Sequence, residues 1–107
     1  MNARPVWLFA LFAIAAGAVT VCGQVLPSIQ PKEGYVPNEA TAVAIGEAVM
    51  LPIWGEASIA RHRPYRATLT DGVWRVEGTL PPGTAGGTAI ALVSRDDGRI
   101  VRVFHEQ

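Results

Sequence analysis

The chain contains one cysteine and two histidines among 107 residues, so side chains that bind transition metals are scarce. A single cysteine cannot form an intramolecular disulfide, and no cysteine and histidine group has the spacing of a zinc site. Asp96-Asp97-Gly98 is far shorter than a calcium loop and is typical of a turn. Residues 83–87 are glycine-rich, but no lysine follows and a strand comes next, unlike a phosphate-binding loop. The sequence therefore predicts neither a metal site nor a cofactor.

An excess of one charge sign is also absent. Nine lysines and arginines balance nine aspartates and glutamates, which gives a formal net charge of zero. Surfaces that bind nucleic acid generally need a basic excess to contact the phosphate backbone. Nucleic acid is therefore not expected as a partner.

Groups for acid–base catalysis are few. His62 lies between two arginines in a connecting segment, and His105 lies two residues from the C-terminus, where chains fray. A pairing of His105 with Asp71 or Asp96 stays open as a minor alternative. We predict no catalytic residues and a protein that is not an enzyme.

Residues 1–23 have the layout of an export signal. One arginine precedes an apolar run at residues 6–19, and the small residues Ala16-Gly17-Ala18 follow the pattern of a cleavage site, with Val21-Cys22-Gly23 as a weaker alternative. An uncleaved membrane anchor is the alternative, although the run is slightly shorter than the roughly 20 apolar residues of a span. Both interpretations place the remaining chain outside the cytoplasm, in the periplasm or cell envelope.

Cys22 raises the further alternative of a lipid anchor. Val19-Thr20-Val21-Cys22 resembles a lipobox, but the residue before the cysteine should be small and Val21 is not. Any contact with the membrane is expected only through this N-terminal segment or a lipid on Cys22.

Proline and glycine divide the rest of the chain. Residues 24–36 contain Pro27, Pro31 and Gly34, and they predict an extended linker. Residues 37–107 are then expected to form one small domain, of a size that buries only about 60% of its unfolded surface.

The domain is predicted to begin with a helix. Asn38 can cap its first amides, and Glu39 lies in the first turn, where the helix dipole favours a negative charge. Pro52 should end or kink the helix near Leu51. A short second helix is predicted from Glu56 to Ala60, with Ile59 as its anchor. One apolar face of the first helix is expected from Ala42, Ile45 and Val49, with Ala48 beside them.

A period of two replaces the helical period after Pro64. Alternating residues predict strands at 65–70, around Trp74 and Val76, at 88–94 and at 100–105. Asp71-Gly72 and Asp96-Asp97-Gly98 are typical hairpin turns. The third strand is apolar on both faces and should be central. The predicted fold is therefore α+β, with a helix and a short second helix packed on a four-stranded antiparallel sheet.

Aromatic and arginine side chains are candidates for contact with a partner, because they dominate binding hot spots. Trp54 and Trp74 are assigned to the core, since a small domain needs large buried residues. The remaining candidates lie on strands or strand ends and are Arg66, Arg75, Tyr65, Arg95 and Arg102.

Residues 35–102 resemble a known family, the immunity proteins with a nuclear-transport-factor-2-like fold that occur in bacterial polymorphic toxin systems. The spacing from Trp74 through Gly78-Thr79-Leu80-Pro81 to Gly86-Gly87 is the most specific part. The other residues that carry the likeness are Val36-Pro37-Asn38-Glu39, Ala42, Ile45, Glu47-Ala48, Pro52-Ile53-Trp54-Gly55-Glu56, Ile59, Arg63-Pro64-Tyr65, Leu69, Asp71-Gly72-Val73, Val76, Gly83, Ala89, Asp97-Gly98 and Ile100.

The resemblance implies a curved antiparallel sheet of the nuclear-transport-factor-2 or cystatin type against a helix. It also implies an exported immunity protein that binds and neutralises a cognate protein toxin. It carries over no catalytic residue and no binding map. Because fold does not give function, two alternatives stay open: an envelope structural or accessory protein, and a small pocket enzyme.

Overall fold

The computed structural model describes residues 26–107. The predictions for residues 1–23, including those for Cys22, lie outside the described residues. Four strands form one antiparallel meander in the order β1-β2-β3-β4, with a long and a short helix before it. The elements are α1 (Glu39–Trp54), α2 (Glu56–Arg61), β1 (Arg66–Thr70), β2 (Val73–Glu77), β3 (Ala89–Ser94) and β4 (Ile100–His105). This architecture confirms the predicted α+β fold with β3 as a central strand.

The start of α1 is capped as the sequence predicts. The Asn38 side-chain oxygen accepts a hydrogen bond from the Thr41 amide at 2.9 Å and another from the Thr41 hydroxyl at 2.9 Å. The cap satisfies an amide that has no partner within the helix.

The end of α1 differs from the prediction, because the helix continues through Pro52 to Trp54. Pro52 has no amide to donate to the Ala48 carbonyl, yet the helix continues for two more residues and Trp54 is its last. The Gly55 amide closes the helix on the Leu51 carbonyl at 2.8 Å, and Gly55 adopts a φ of 88° that glycine tolerates. The short helix α2 follows at once and confirms the predicted anchor, since Ile59 is buried.

The face of α1 that meets the sheet is rotated from the predicted one. Its fully buried residues are Ala42, Gly46 and Met50, which are spaced by four, while Ile45 and Val49 lie half-buried at the side. Gly46 explains the rotation. A Cβ atom at that position would lie 2.6 Å from Val76 Cγ1, so the helix can rest on β2 only because Gly46 has no side chain.

The two-residue turn between β1 and β2 has the predicted form, with positive φ at Asp71 and Gly72. Trp74 and Val76 of β2 point to the helix and are buried, as predicted for Trp74. Trp54, at the end of α1, is only half-buried. The core between the helices and the sheet contains Val36, Ala42, Met50, Ile59, Tyr65, Trp74, Val76, Ala89, Ala91 and Val93.

Part of the predicted linker belongs to the domain. The Tyr35 and Val36 amides bond to the carbonyls of Asp96 and Arg95 in the β3–β4 turn, at 2.9 and 3.0 Å. Val36 is fully buried, and its carbonyl accepts the Trp74 indole N–H at 2.8 Å. Gln30 also reaches the Asp96 carbonyl at 2.8 Å. The structured domain therefore begins before Pro37, because the sheet needs this segment to cover the end of its core.

Replacement of Gly46 by alanine tests the close contact with β2. The added methyl group must displace Val76, and overpacking of this kind costs about 1–3 kcal/mol. Alanine gains about 1 kcal/mol of helix propensity, which offsets only part of that cost. We expect Gly46→Ala to lower the free energy of unfolding in urea. The double variant Gly46→Ala/Val76→Ala should lose less than the sum of the two single variants. An additive result, or a more stable Gly46→Ala, would contradict the contact.

Candidate partner-binding surface

The sheet face turned away from α1 is the candidate surface, here called the outer face. The register and the alternation of side chains place eleven residues on it. They are Arg66, Thr68, Thr70, Val73, Arg75, Glu77, Ile90, Leu92, Ser94, Arg102 and Phe104.

Three of the five predicted contact residues lie together on this face. Arg75 pairs with Leu92 across β2 and β3, and Leu92 pairs with Arg102 across β3 and β4. Arg75 and Arg102 therefore lie in one row, two strands apart, at about 10 Å between backbones. Arg66 pairs with Glu77 one row further along. The sheet thus gathers arginines that are up to 36 positions apart in the chain.

Arg95 and Tyr65 lie elsewhere. Arg95 is half-buried in the β3–β4 turn, where its amide bonds to the Gly72 carbonyl at 2.9 Å. Tyr65 is only 4% exposed and belongs to the core, which leaves little of its surface for a partner. It lies on the same side as Ala67, which faces the helix, and its hydroxyl has no hydrogen-bond partner within the described chain. Burial raises the pKa of this hydroxyl.

Arg75 holds a network of charges on the outer face. Its Nε atom donates to Glu77 Oε1 at 3.0 Å, and a terminal nitrogen donates to Glu106 Oε1 at 3.1 Å. The hydrogen bond to Glu77 is the main cause of the raised pKa of Arg75, and Glu106 adds to it. Arg75 therefore joins Glu77, on its own strand, to Glu106 near the C-terminus, which the sequence analysis did not identify.

The bond between Arg75 and Glu106 passes over the middle of the face. Arg75 lies beside Leu92, and Glu106 lies beside Thr88, whose carbonyl accepts the Glu106 amide at 3.0 Å. A line from Arg75 to Glu106 therefore crosses β3 at Ile90. Ile90 is completely buried, although the register places it on the outer face and it lies outside the main core cluster.

Arg102 differs from Arg66 and Arg75 in the contacts of its side chain. Its guanidinium lies 4.5 Å from the centre of the Phe104 ring, in a cation–π contact. No carboxylate of residues 26–107 lies within the 4.0 Å of an ion pair with it. Half-buried Leu92, its pair on β3, and half-buried Phe104 lie beside it. Arg102 is therefore a charge beside apolar groups that can accept a carboxylate from outside.

Glu39 secures Arg66 and one edge of the sheet. Its Oε2 atom accepts hydrogen bonds from Arg66 Nε at 2.7 Å and from the Ala67 amide at 3.0 Å. The bond to Arg66, then the bond to Ala67, lowers the pKa of Glu39. The two-residue turn at Asp71-Gly72 makes Thr70 and Val73 a hydrogen-bonded pair, and such pairs alternate along the ladder, so the Ala67 amide points out of the sheet. Glu39 therefore covers one outward amide on the free edge of β1.

The minor catalytic alternative is not formed. His105 lies at one end of β4, with its ring centre 6.0 Å from that of Trp54. Asp71 and Asp96 lie in the two hairpin turns at the other end of the sheet, which the bond from Arg95 to Gly72 holds together. Residues 26–107 show no pocket and no group of three side chains that could hold a metal ion. Within the same residues, no helix is long and apolar enough to cross a membrane.

The sequence of the domain matches one protein family. A family model described as an NTF2 fold immunity protein matches residues 41–107, which include nearly all of α1, the whole of α2 and the four strands. The match confirms the resemblance and the NTF2-like fold predicted from the sequence. No curated protein and no solved structure matches the chain.

Glu39 is expected to make the stability of the domain depend on pH. Because its pKa is lower in the folded chain, the ionised carboxylate stabilises the fold above the pKa of the unfolded state. That contribution is lost as the pH falls through the folded pKa. Glu39→Gln should therefore lower the midpoint of thermal unfolding at pH 7, and the difference from the parent chain should shrink on acidification. Glu33→Gln, at an exposed position, should behave like the parent chain throughout. A difference that stays constant on acidification would exclude this role of the carboxylate.

Proposed function

The chain belongs to the NTF2 fold immunity protein family, and from this membership we propose that it binds a cognate bacterial toxin and neutralises it. The observation that carries the proposal is the match over residues 41–107, because it includes most of the structured domain. Membership supports an immunity role and suggests a non-catalytic chain. A toxin that attacks the cell envelope is the partner that agrees with an exported chain.

The outer face has features that suit a protein partner. Its centre contains half-buried apolar side chains, and paired charges that hold one another in place surround them. Side chains fixed before binding lose little conformational entropy on association. Arg102 adds a charge that is free to contact an acidic group, and arginine is among the residues enriched in binding hot spots.

The site of action that we propose is the periplasm or cell envelope. The apolar run of residues 6–19 behind a single arginine supports it, whether the segment is cleaved as a signal peptide or kept as an anchor. A fusion of residues 1–25 to alkaline phosphatase, which is active only outside the bacterial cytoplasm, should show activity. The same fusion with Leu8, Leu11 and Ile14 changed to arginine should be inactive. Equal activity of the two fusions would defeat the proposed export.

The immunity role is tested by growth. Co-expression with the toxin encoded beside this chain should restore the growth of cells that the toxin alone inhibits. Arg102→Glu reverses the unpaired charge on the outer face and should weaken toxin binding at least tenfold. Arg61→Glu is the matched control, because Arg61 is exposed on α2, away from that face. No rescue by any neighbouring toxin would overturn the immunity role. Equal binding by the two variants would exclude Arg102 from the contact.

A further inference from the structure

The two edges of the sheet differ in a way that bears on binding. Strand β1 is one edge, and the Glu39 carboxylate accepts the outward amide of Ala67. Strand β4 is the other edge. An edge strand with unpaired amides and carbonyls can pair with a strand from another chain, so most proteins protect such edges.

The outward groups of β4 follow from the ladder. The Glu106 amide bonds to the Thr88 carbonyl, and the register runs without a shift from there to the pair of Leu92 and Arg102. In an antiparallel ladder the bonded pairs alternate, so Phe104 and Arg102 face β3 with their backbone groups. The amides and carbonyls of Val103 and His105 therefore point away from the sheet. No other group of residues 26–107 hydrogen-bonds to these two amides.

The composition of β4 favours pairing. Ile100, Val101, Val103 and Phe104 have high β-propensity, and Arg102 is the one residue of β4 that is an arginine, lysine, aspartate or glutamate. The strand contains no proline or lysine, which commonly protect an edge. The ladder is irregular only opposite Leu92 and Val93, near the start of β4. The half of the strand that contains Val103 and His105 is regular.

The outer face by itself is small for a protein interface. Four strands of about six residues cover roughly 19 by 19 Å, or about 360 Å² in projection. A standard protein interface uses about 800 Å² from each partner. The β4 edge adjoins the row of Arg102 and Phe104, so a contact that continues from the outer face onto this edge adds area without a break.

We propose that the toxin adds an extended strand to the β4 edge, with a carboxylate of that strand beside Arg102. This inference rests on the proposed immunity function. The outward amides of Val103 and His105, unpaired within residues 26–107, can donate hydrogen bonds to backbone carbonyls of the added strand. The guanidinium of Arg102, which has no ion pair within those residues, favours a strand with a negative charge. The toxin segment should have an apolar side chain two residues from its carboxylate, on the same face, to lie beside Phe104. Its other face should be apolar where it meets Val103.

Val103→Pro tests the edge directly, because proline removes the outward amide of residue 103 and leaves the hydrogen bonds between β4 and β3 in place. Proline is tolerated at edge strands. Val103→Ala shortens the same side chain but keeps the amide, so it is the matched control. Thermal unfolding establishes that both variants fold. In titration calorimetry with the toxin encoded beside this chain, Val103→Pro should bind at least tenfold more weakly than Val103→Ala. Equal dissociation constants for two folded variants would overturn the inference and leave the immunity role intact, since rescue of growth tests that role.

Hydrogen exchange on the unchanged protein gives a second measurement, which is decisive even where Val103→Pro does not fold. The amides of Val103 and His105 should exchange fast in the free chain and at least a hundredfold more slowly in the toxin complex. The Ala67 amide, already bonded to Glu39, should change little. Fast exchange in the complex, or slow exchange in the free chain together with a dimer in sedimentation, would overturn the inference. The second of these results would assign the edge to another copy of this chain.

Discussion

The contact between Gly46 and Val76 decides which surfaces of this domain are available. A helix that lies on a sheet through a glycine approaches closely, so α1 is held over the centre of the sheet and the side chains beside that contact fill the core. One face of the sheet is then fully used for folding. Because the other face has no covering element within residues 26–107, it must be stabilised by its own side chains.

Ion pairs between side chains, and not a second helix, stabilise the outer face. The ion pair between Arg75 and Glu106 joins β2 to the chain just after β4. Exposed ion pairs contribute little stability by themselves, typically about 0–1 kcal/mol. Their effect here is geometric, since they fix the guanidinium of Arg75. Of the three arginines on the outer face, Arg66 and Arg75 are paired within the domain, and Arg102 can accept a partner carboxylate without breaking an ion pair of residues 26–107.

Much of the fold depends on residues that are close in the sequence, and those parts were predictable from it. The Asn38 cap, the Asp71-Gly72 turn and the alternation around Trp74 each depend on neighbouring residues, and all three are present. The predictions that differ depend on distant contacts. The rotation of α1 requires Val76 to meet Gly46, thirty positions away, and the burial of Val36 requires the β3–β4 turn and Trp74.

The candidate surface also divides into features that depend on local sequence and features that depend on distant contacts. Alternation within a strand indicates which side of that strand an arginine is on, but it shows neither the register between strands nor which arginines are already paired. Glu39 and Glu106 come from outside the sheet, so no pattern within a strand reveals them. Tyr65 was considered for binding because it is aromatic, whereas its alternation with Ala67 indicates the helix side, where its ring is buried.

The small size of the domain connects its stability to its binding. A chain of this length buries a limited core, so a ligand that binds only the folded state adds appreciably to its stability by mass action. A strand added at β4 would extend the sheet from four strands to five and satisfy backbone groups that the free chain leaves to water. Toxin binding would then also stabilise β4, the strand that makes the contact. Glu39 accepts an outward amide of β1, whereas the outward amides of Val103 and His105 have no partner within residues 26–107, so pairing is favoured at β4, beside Arg102, which has no ion pair with those residues.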